Sequence, residues 1–208
     1  SSEVGYLLDT RLNQAYKAVN LLLDQGAPVK RVTEPLFAGG SELPPGCFIV
    51  EPGQEEKLSA VAEETGVDFH ALQVLEAETK PVRRLKVGMY QRYWGGNADE
   101  GWTRLCLEQH CFPYTTLMDE EILGGDLSRY DAIIFPHDPP AMITGGDELQ
   151  EWAKENRPDY PLPEYPTEYQ SGLGDEGKEK LKAWVEQGGT LICLGEAGIY
   201  AIETLDLK

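Results

Sequence analysis

A chain of 208 residues suffices for one large domain or two small ones, and 41% hydrophobic residues is ordinary for a folded globular protein. The net charge of −18 argues against nucleic acid or an anionic membrane as partner, since such surfaces need clustered Lys and Arg and the basic cluster here is only Arg83-Arg84-Lys86. No apolar run approaches the ~20 residues of a membrane span. No signal or lipidation motif opens the chain, which begins Ser1-Ser2-Glu3 without Met and reads as a piece of a longer protein of unknown compartment.

Taken in order, Val4–Leu8 reads as a buried strand, and Ala15, Ala18, Val19, Leu22 and Leu23 recur at helical spacing up to Gly26. Val29–Val32 is a strand, and Pro44-Pro45-Gly46 turns the chain into the apolar run Cys47–Val50. Leu58, Val61 and Ala62 mark a helix that ends near Gly66, before a strand over Val67–Leu72. A second round starts at Lys80-Pro81. Its expected strands are Leu85–Tyr90, Tyr114–Leu117, Ala132–Phe135 and Thr190–Leu194. Its expected helices carry Trp102, Leu105 and Cys106 on one face, then a short stretch around Glu148–Glu155, then Leu181, Trp184 and Val185. Residues 1–80 form a smaller α/β half and 81–208 a larger one, packed as one unit. Alternation of strand and helix predicts an α/β fold in three layers around a mostly parallel sheet.

Ligand sites in such sheets lie beyond the carboxyl ends of the strands, which points to loops 9–14, 51–55, 91–100, 136–175 and 195–199. The fourth is long and Pro-rich, the composition of an irregular lid. The fifth carries the sharpest motif. Thr190-Leu191-Ile192-Cys193-Leu194-Gly195-Glu196-Ala197-Gly198 runs a strand into a small-residue turn, the way a nucleophile elbow is built. The nucleophile position holds Glu196, a poor substitute for an activated thiol, while Cys193 falls three residues too early, inside the strand. An inert strand–turn–helix junction is the simpler reading.

Tyr93-Trp94-Gly95-Gly96-Asn97-Ala98-Asp99 follows a strand and opens a helix that Asn97 or Asp99 can cap. Its aromatics suit stacking on a ligand such as a sugar, although burial is the commoner use of such rings. His137-Asp138 stands at the same edge, where a His beside an acid serves as base or metal ligand, or is incidental. Together, Tyr93, Trp94, Asn97, Asp99, His137 and Glu196 are the candidate ligand-binding residues, with none assigned to catalysis or to a metal. No H-x-x-E or H-E-x-x-H surrounds His70, His110 or His137. Gly172-Leu173-Gly174-Asp175-Glu176-Gly177 matches a dinucleotide fingerprint in letters only, because it follows a loop and puts acids where a pyrophosphate would lie; Asp175 is expected to cap the next helix. The four cysteines form no C-x-x-C pair, and Cys47 and Cys193 read as buried thiols.

Several of these segments form a familiar set: Ala18–Leu23, Asp99-Glu100-Gly101-Trp102-Thr103-Arg104, Phe112-Pro113-Tyr114-Thr115, Tyr130–Ile134, Gly188-Gly189-Thr190-Leu191 and Ala201-Ile202-Glu203. They resemble the C-terminal region of large bacterial zinc carboxypeptidases of the carboxypeptidase A-like metallopeptidase family. That region is itself similar to the flavodoxin-like fold of class I glutamine amidotransferases. The resemblance spans nearly the whole chain and is strongest from Val82 onward. It implies a parent protein that trims C-terminal residues from peptides at a zinc held in a separate peptidase domain. It implies no zinc ligand and no cofactor here, and a role as a non-catalytic accessory to that domain. The alternatives are a module that binds a peptide or glycan at the sheet edge, and a hydrolase using Glu196 as base with His137.

Overall fold

The computed structural model describes residues 2–38, 40–93, 96–160, 162, 165–166, 169–170 and 172–207. The chain divides into two compact units. One comprises Ser1–Arg84 with Glu108–Phe112, the other Leu85–Leu107 with Pro113–Lys208.

The first unit holds β1 (Gly5–Leu8), α1 (Gln14–Asp24), β2 (Val29–Val32), β3 (Leu36–Ala38), β4 (Ser41–Leu43), β5 (Phe48–Val50), α2 (Glu55–Thr65), β6 (His70–Leu72) and β7 (Thr79–Pro81). Its main sheet has the order β6-β1-β5-β2-β7, and every neighbouring pair is antiparallel. This corrects the expected parallel sheet for this half. β1 and β2 do run in the same direction, as a strand–helix–strand crossover requires, but β5 is inserted between them. β5 and β6 are likewise split by β1. The result is a pair of split β-α-β units. Period-2 alternation sorts the core: Tyr6 and Leu8 join Ala15, Ala18, Leu22, Leu58 and Val61 beneath the two helices. Leu7 and Ile49 face the other way, onto Leu36 and Leu43 of the β3–β4 hairpin. Gly5 makes the sheet possible at one point, since a Cβ there would stand 2.9 Å from the Val50 carbonyl oxygen.

The second unit holds β8 (Val87–Tyr90), α3 (Ala98–Gln109), β9 (Tyr114–Leu117), α4 (Asp119–Gly124), a 3₁₀ turn (Leu127–Arg129), β10 (Ala132–Phe135), α5 (Pro140–Thr144), α6 (Gly146–Asn156), α7 (Gly174–Glu186), β11 (Thr190–Cys193) and α8 (Ala197–Thr204). Here the sheet is wholly parallel, in the order β11-β10-β8-β9, with helices on both faces. Tyr90, Leu117, Ile133 and Phe135 pack on Ile122 of α4, Leu181 and Trp184 of α7, and Tyr200 of α8. Tyr90 and Phe135 stack at 4.5 Å between ring centroids. The opposite face is thinner: Val87, Met89 and Ile134 meet Leu107 of α3. The helix face expected from Trp102, Leu105 and Cys106 does not supply this packing. Trp102 is 69% exposed, and the buried residue of α3 is Glu100.

α7 starts differently from the expectation as well. Its N-cap is Leu173, with no side-chain cap, and Asp175 lies in the first turn with an ion-pair distance of 3.7 Å to Lys178. Burial drives this start: Leu173 is 1% exposed and fills the space a Cβ on Gly177 would occupy at 2.5 Å. Inside the long 136–175 stretch lie α5 and α6, the latter where a short helix was expected around Glu148–Glu155. Among the described residues, no helix is long and apolar enough to cross a membrane.

Candidate functional site

The chain leaves β8 toward β9 on one side and returns past β8 to β10 on the other. The strand order therefore reverses between β8 and β10, and the carboxyl edge at such a reversal is where open parallel sheets bind ligands. The β8 loop brings Arg92, Tyr93 and Asn97 here; the β10 loop brings His137 and Asp138.

The centre of this edge is a buried ion pair. Arg92 and Asp138 have side chains only 7% exposed each. Arg92 Nε donates to Asp138 Oδ2 at 2.7 Å and Nη2 to Oδ1 at 3.1 Å, a bidentate clasp. Asn97 completes it: its Nδ2 donates to Asp138 Oδ2 at 2.8 Å and to the His137 carbonyl at 3.0 Å. The same Asn97 caps α3, its Oδ1 accepting from the backbone N–H groups of Asp99 at 3.0 Å and Glu100 at 3.2 Å. One amide side chain thus ties a helix start to the β10 loop.

His137 links the β10 and β11 loops. Its Nδ1 accepts from the Glu196 backbone N–H at 3.1 Å, so the proton of the neutral ring sits on Nε2. The contact is with the Glu196 backbone, and the carboxylate itself is exposed. Glu196 has ordinary helical angles, φ −68° and ψ −19°, so it lacks the strain of a nucleophile elbow. The left-handed residue is Gly195, at φ +55°. Cys193, expected to be buried, is only half-buried against the core, and that burial pushes its thiol up to about 11. At neutral pH it is a protonated thiol and a poor nucleophile.

Of the candidate residues, Asn97, His137 and Glu196 are joined by these bonds. Asp99 is exposed in the first turn of α3 and meets Asn97 through its backbone N–H. Trp94 lies outside the described residues. Tyr93 belongs to a neighbouring group: its ring meets that of Tyr169 edge-on, 6.0 Å between centroids. Burial, then the charges of Glu120 and Glu121, raise its phenol above the usual value. Sequence reasoning passed over Arg92 altogether and gave Asp138 no role of its own. The signal for the pair was weak, since two opposite charges 46 positions apart become meaningful only when both are placed after neighbouring parallel strands.

Asp119, after β9, is a further buried carboxyl. It accepts from the Tyr90 hydroxyl at 2.7 Å and from the Gly172 N–H at 2.8 Å. That bond gives the glycine-rich run a structural use with no phosphate involved. Burial outweighs these donors and raises the carboxyl above its ordinary 3.8. A raised acid binds its proton more tightly folded than unfolded. Between 3.8 and its raised value the native state therefore holds more protons, and this group's contribution to stability falls as pH rises. Urea unfolding of wild type and Asp119→Asn across that window is expected to show a stability difference that shifts against the wild type with rising pH. A pH-independent difference would remove the assignment.

Among the described residues no group of three or more His, Cys, Asp and Glu is placed to hold a metal ion. Cys47, Cys111 and Cys193 are free thiols. No protein-family model matches this sequence, and no curated protein matches it.

Proposed function

We propose that this chain is a non-catalytic accessory domain of a larger zinc carboxypeptidase, one that supports the peptidase domain or positions its substrate. The observation that carries the non-catalytic part is the junction after β11. Glu196 stands exposed where an elbow would hold a nucleophile, and the nearby thiol of Cys193 is held protonated by burial. The Arg92–Asp138–Asn97 clasp reads as a brace that keeps two sheet-edge loops in register. The strand order of the larger unit supports the flavodoxin-like plan shared with class I glutamine amidotransferases. The link to a peptidase rests on the sequence resemblance, above all Asp99–Arg104.

Removing this region from a peptidase that carries it is expected to alter stability, substrate range or assembly. A peptidase domain unchanged in all three overturns the proposal. Hydrolysis of glutamine or peptides by the chain alone, abolished by Glu196→Gln, would replace it with the enzyme reading.

A second reading, a peptide- or glycan-binding module, is favoured by one observation: the Tyr93–Tyr169 ring pair beside Glu120 and Glu121 offers apolar faces next to carboxylates at the sheet's carboxyl edge. Thermal stabilisation by peptides or sugars would support it.

A further inference from the structure

The first unit contains a cleft of about 380 Å³, within the size range of binding sites. Leu36, Phe37, Val74 and Ala77 give it an apolar lining, and Glu34 and Glu76 a charged one. Leu36 is buried and packs in the core, whereas Phe37 is 74% exposed and Val74 61% exposed. Neither exposed side chain is needed to close the hydrophobic core beneath. One wall is β3 and the residues just before it. Among the described residues β3 pairs only with β4, so alternate N–H and C=O groups of its outer edge face away from that partner. The Glu34 carboxylate is held in place by the backbone N–H of Glu78, which donates to Oε1 at 2.6 Å. No Lys or Arg lines the cleft.

These features belong together. The β3 edge, unpaired among the described residues, supplies main-chain bonds, the apolar lining takes alternate side chains of an extended segment, and carboxylates attract cations along it. That is how strand-addition sites recognise peptides. The charge selects the occupant. A second copy of a chain carrying −18, or any acidic ligand, meets repulsion here, and a basic segment is attracted. We propose that the cleft docks an extended, basic segment of a partner protein, with an apolar side chain seated between Phe37 and Val74 and Lys or Arg facing Glu34 and Glu76. This is independent of the chemistry at the parallel-sheet edge.

The test is titration calorimetry of the full chain with two capped heptapeptides, Lys-Val-Lys-Leu-Lys-Val-Lys and its counterpart with Glu in place of every Lys. The basic peptide is expected to bind and the acidic one not to. Glu76→Lys and Phe37→Ser should each weaken binding by about tenfold or more, or ~1.4 kcal/mol. Glu63→Lys, the same charge change on the exposed face of α2, should leave it within about twofold. Phe37 and Glu76 are exposed, so the thermal transition should be retained. The proposal is overturned if neither peptide binds, if both bind alike, or if Glu63→Lys weakens binding as much as Glu76→Lys does. That last result would mean only general attraction to an acidic surface.

Discussion

Replacing Asp138 with Ala is expected to destabilise the second unit by about 3–5 kcal/mol, the usual cost of leaving one charge of a buried pair without its partner. Arg92 and Asp138 are both nearly inaccessible, and the variant takes the bidentate carboxylate from the guanidinium. It also takes one of the two acceptors of Asn97 Nδ2. The strain should reach the start of α3, because the same Asn97 caps that helix. Urea unfolding measures the loss. A double variant, Arg92→Met with Asp138→Leu, is expected to recover much of it, since replacing both charges removes the desolvation penalty along with the pair. A loss below about 1 kcal/mol for Asp138→Ala would mean that water reaches the pair, and the clasp would then be no brace.

The second large effect is expected at Gly195. Alanine there must adopt the left-handed backbone at φ +55°, and its Cβ would stand 2.2 Å from His137 Nδ1. The backbone strain costs about 1–3 kcal/mol, and displacing the imidazole adds about 1–3 kcal/mol. The ring cannot stay where it accepts from Glu196 N–H, so the junction between the β10 and β11 loops opens. Combining Gly195→Ala with His137→Ala should return the steric part and leave the backbone part. If the double variant is no more stable than Gly195→Ala alone, the imidazole contact is not the cause.

Much of the architecture was legible because it depends on local periodicity. β8, β10 and β11 appear as apolar runs, β9 as the β-branched and aromatic run Tyr114–Leu117, and α1, α2 and α7 as 3.6-residue stripes ended by glycines. What periodicity cannot report is the neighbour. In the first unit β1, β2, β5 and β6 were visible and the short β3, β4 and β7 were not; β5 also lies between β1 and β2, and nothing in a strand–helix–strand pattern distinguishes adjacent strands from a split pair. A signal for the antiparallel turn did exist in Gly39-Gly40, between Leu36–Ala38 and Ser41–Leu43. Trp102 and Leu105 show the same limit, because helical spacing marks an apolar stripe without saying whether anything covers it. Glu100 shows the reverse. In a first turn it reads as an exposed acid complementing the helix dipole, yet it is 2% exposed and paired with Arg104 at 2.6 Å.

The site was legible in its loops and less so in its bonds. Asn97, His137 and Glu196 do meet, but through a side-chain amide, a carbonyl and a backbone N–H in place of paired functional groups. Tyr93 turns to Tyr169 instead. The deciding pair, Arg92 and Asp138, is a long-range contact, and its meaning comes from burial that no short motif encodes.

The central claim is that the junction after β11 carries no activated nucleophile. The most direct measurement is the alkylation rate of Cys193 in the folded chain, followed by peptide mass mapping between pH 6 and pH 10. With the thiol pushed up to about 11, the rate should keep rising about tenfold per pH unit across the range and reach no plateau. A plateau with a midpoint below about 8 would reveal a thiolate prepared for chemistry and contradict the account.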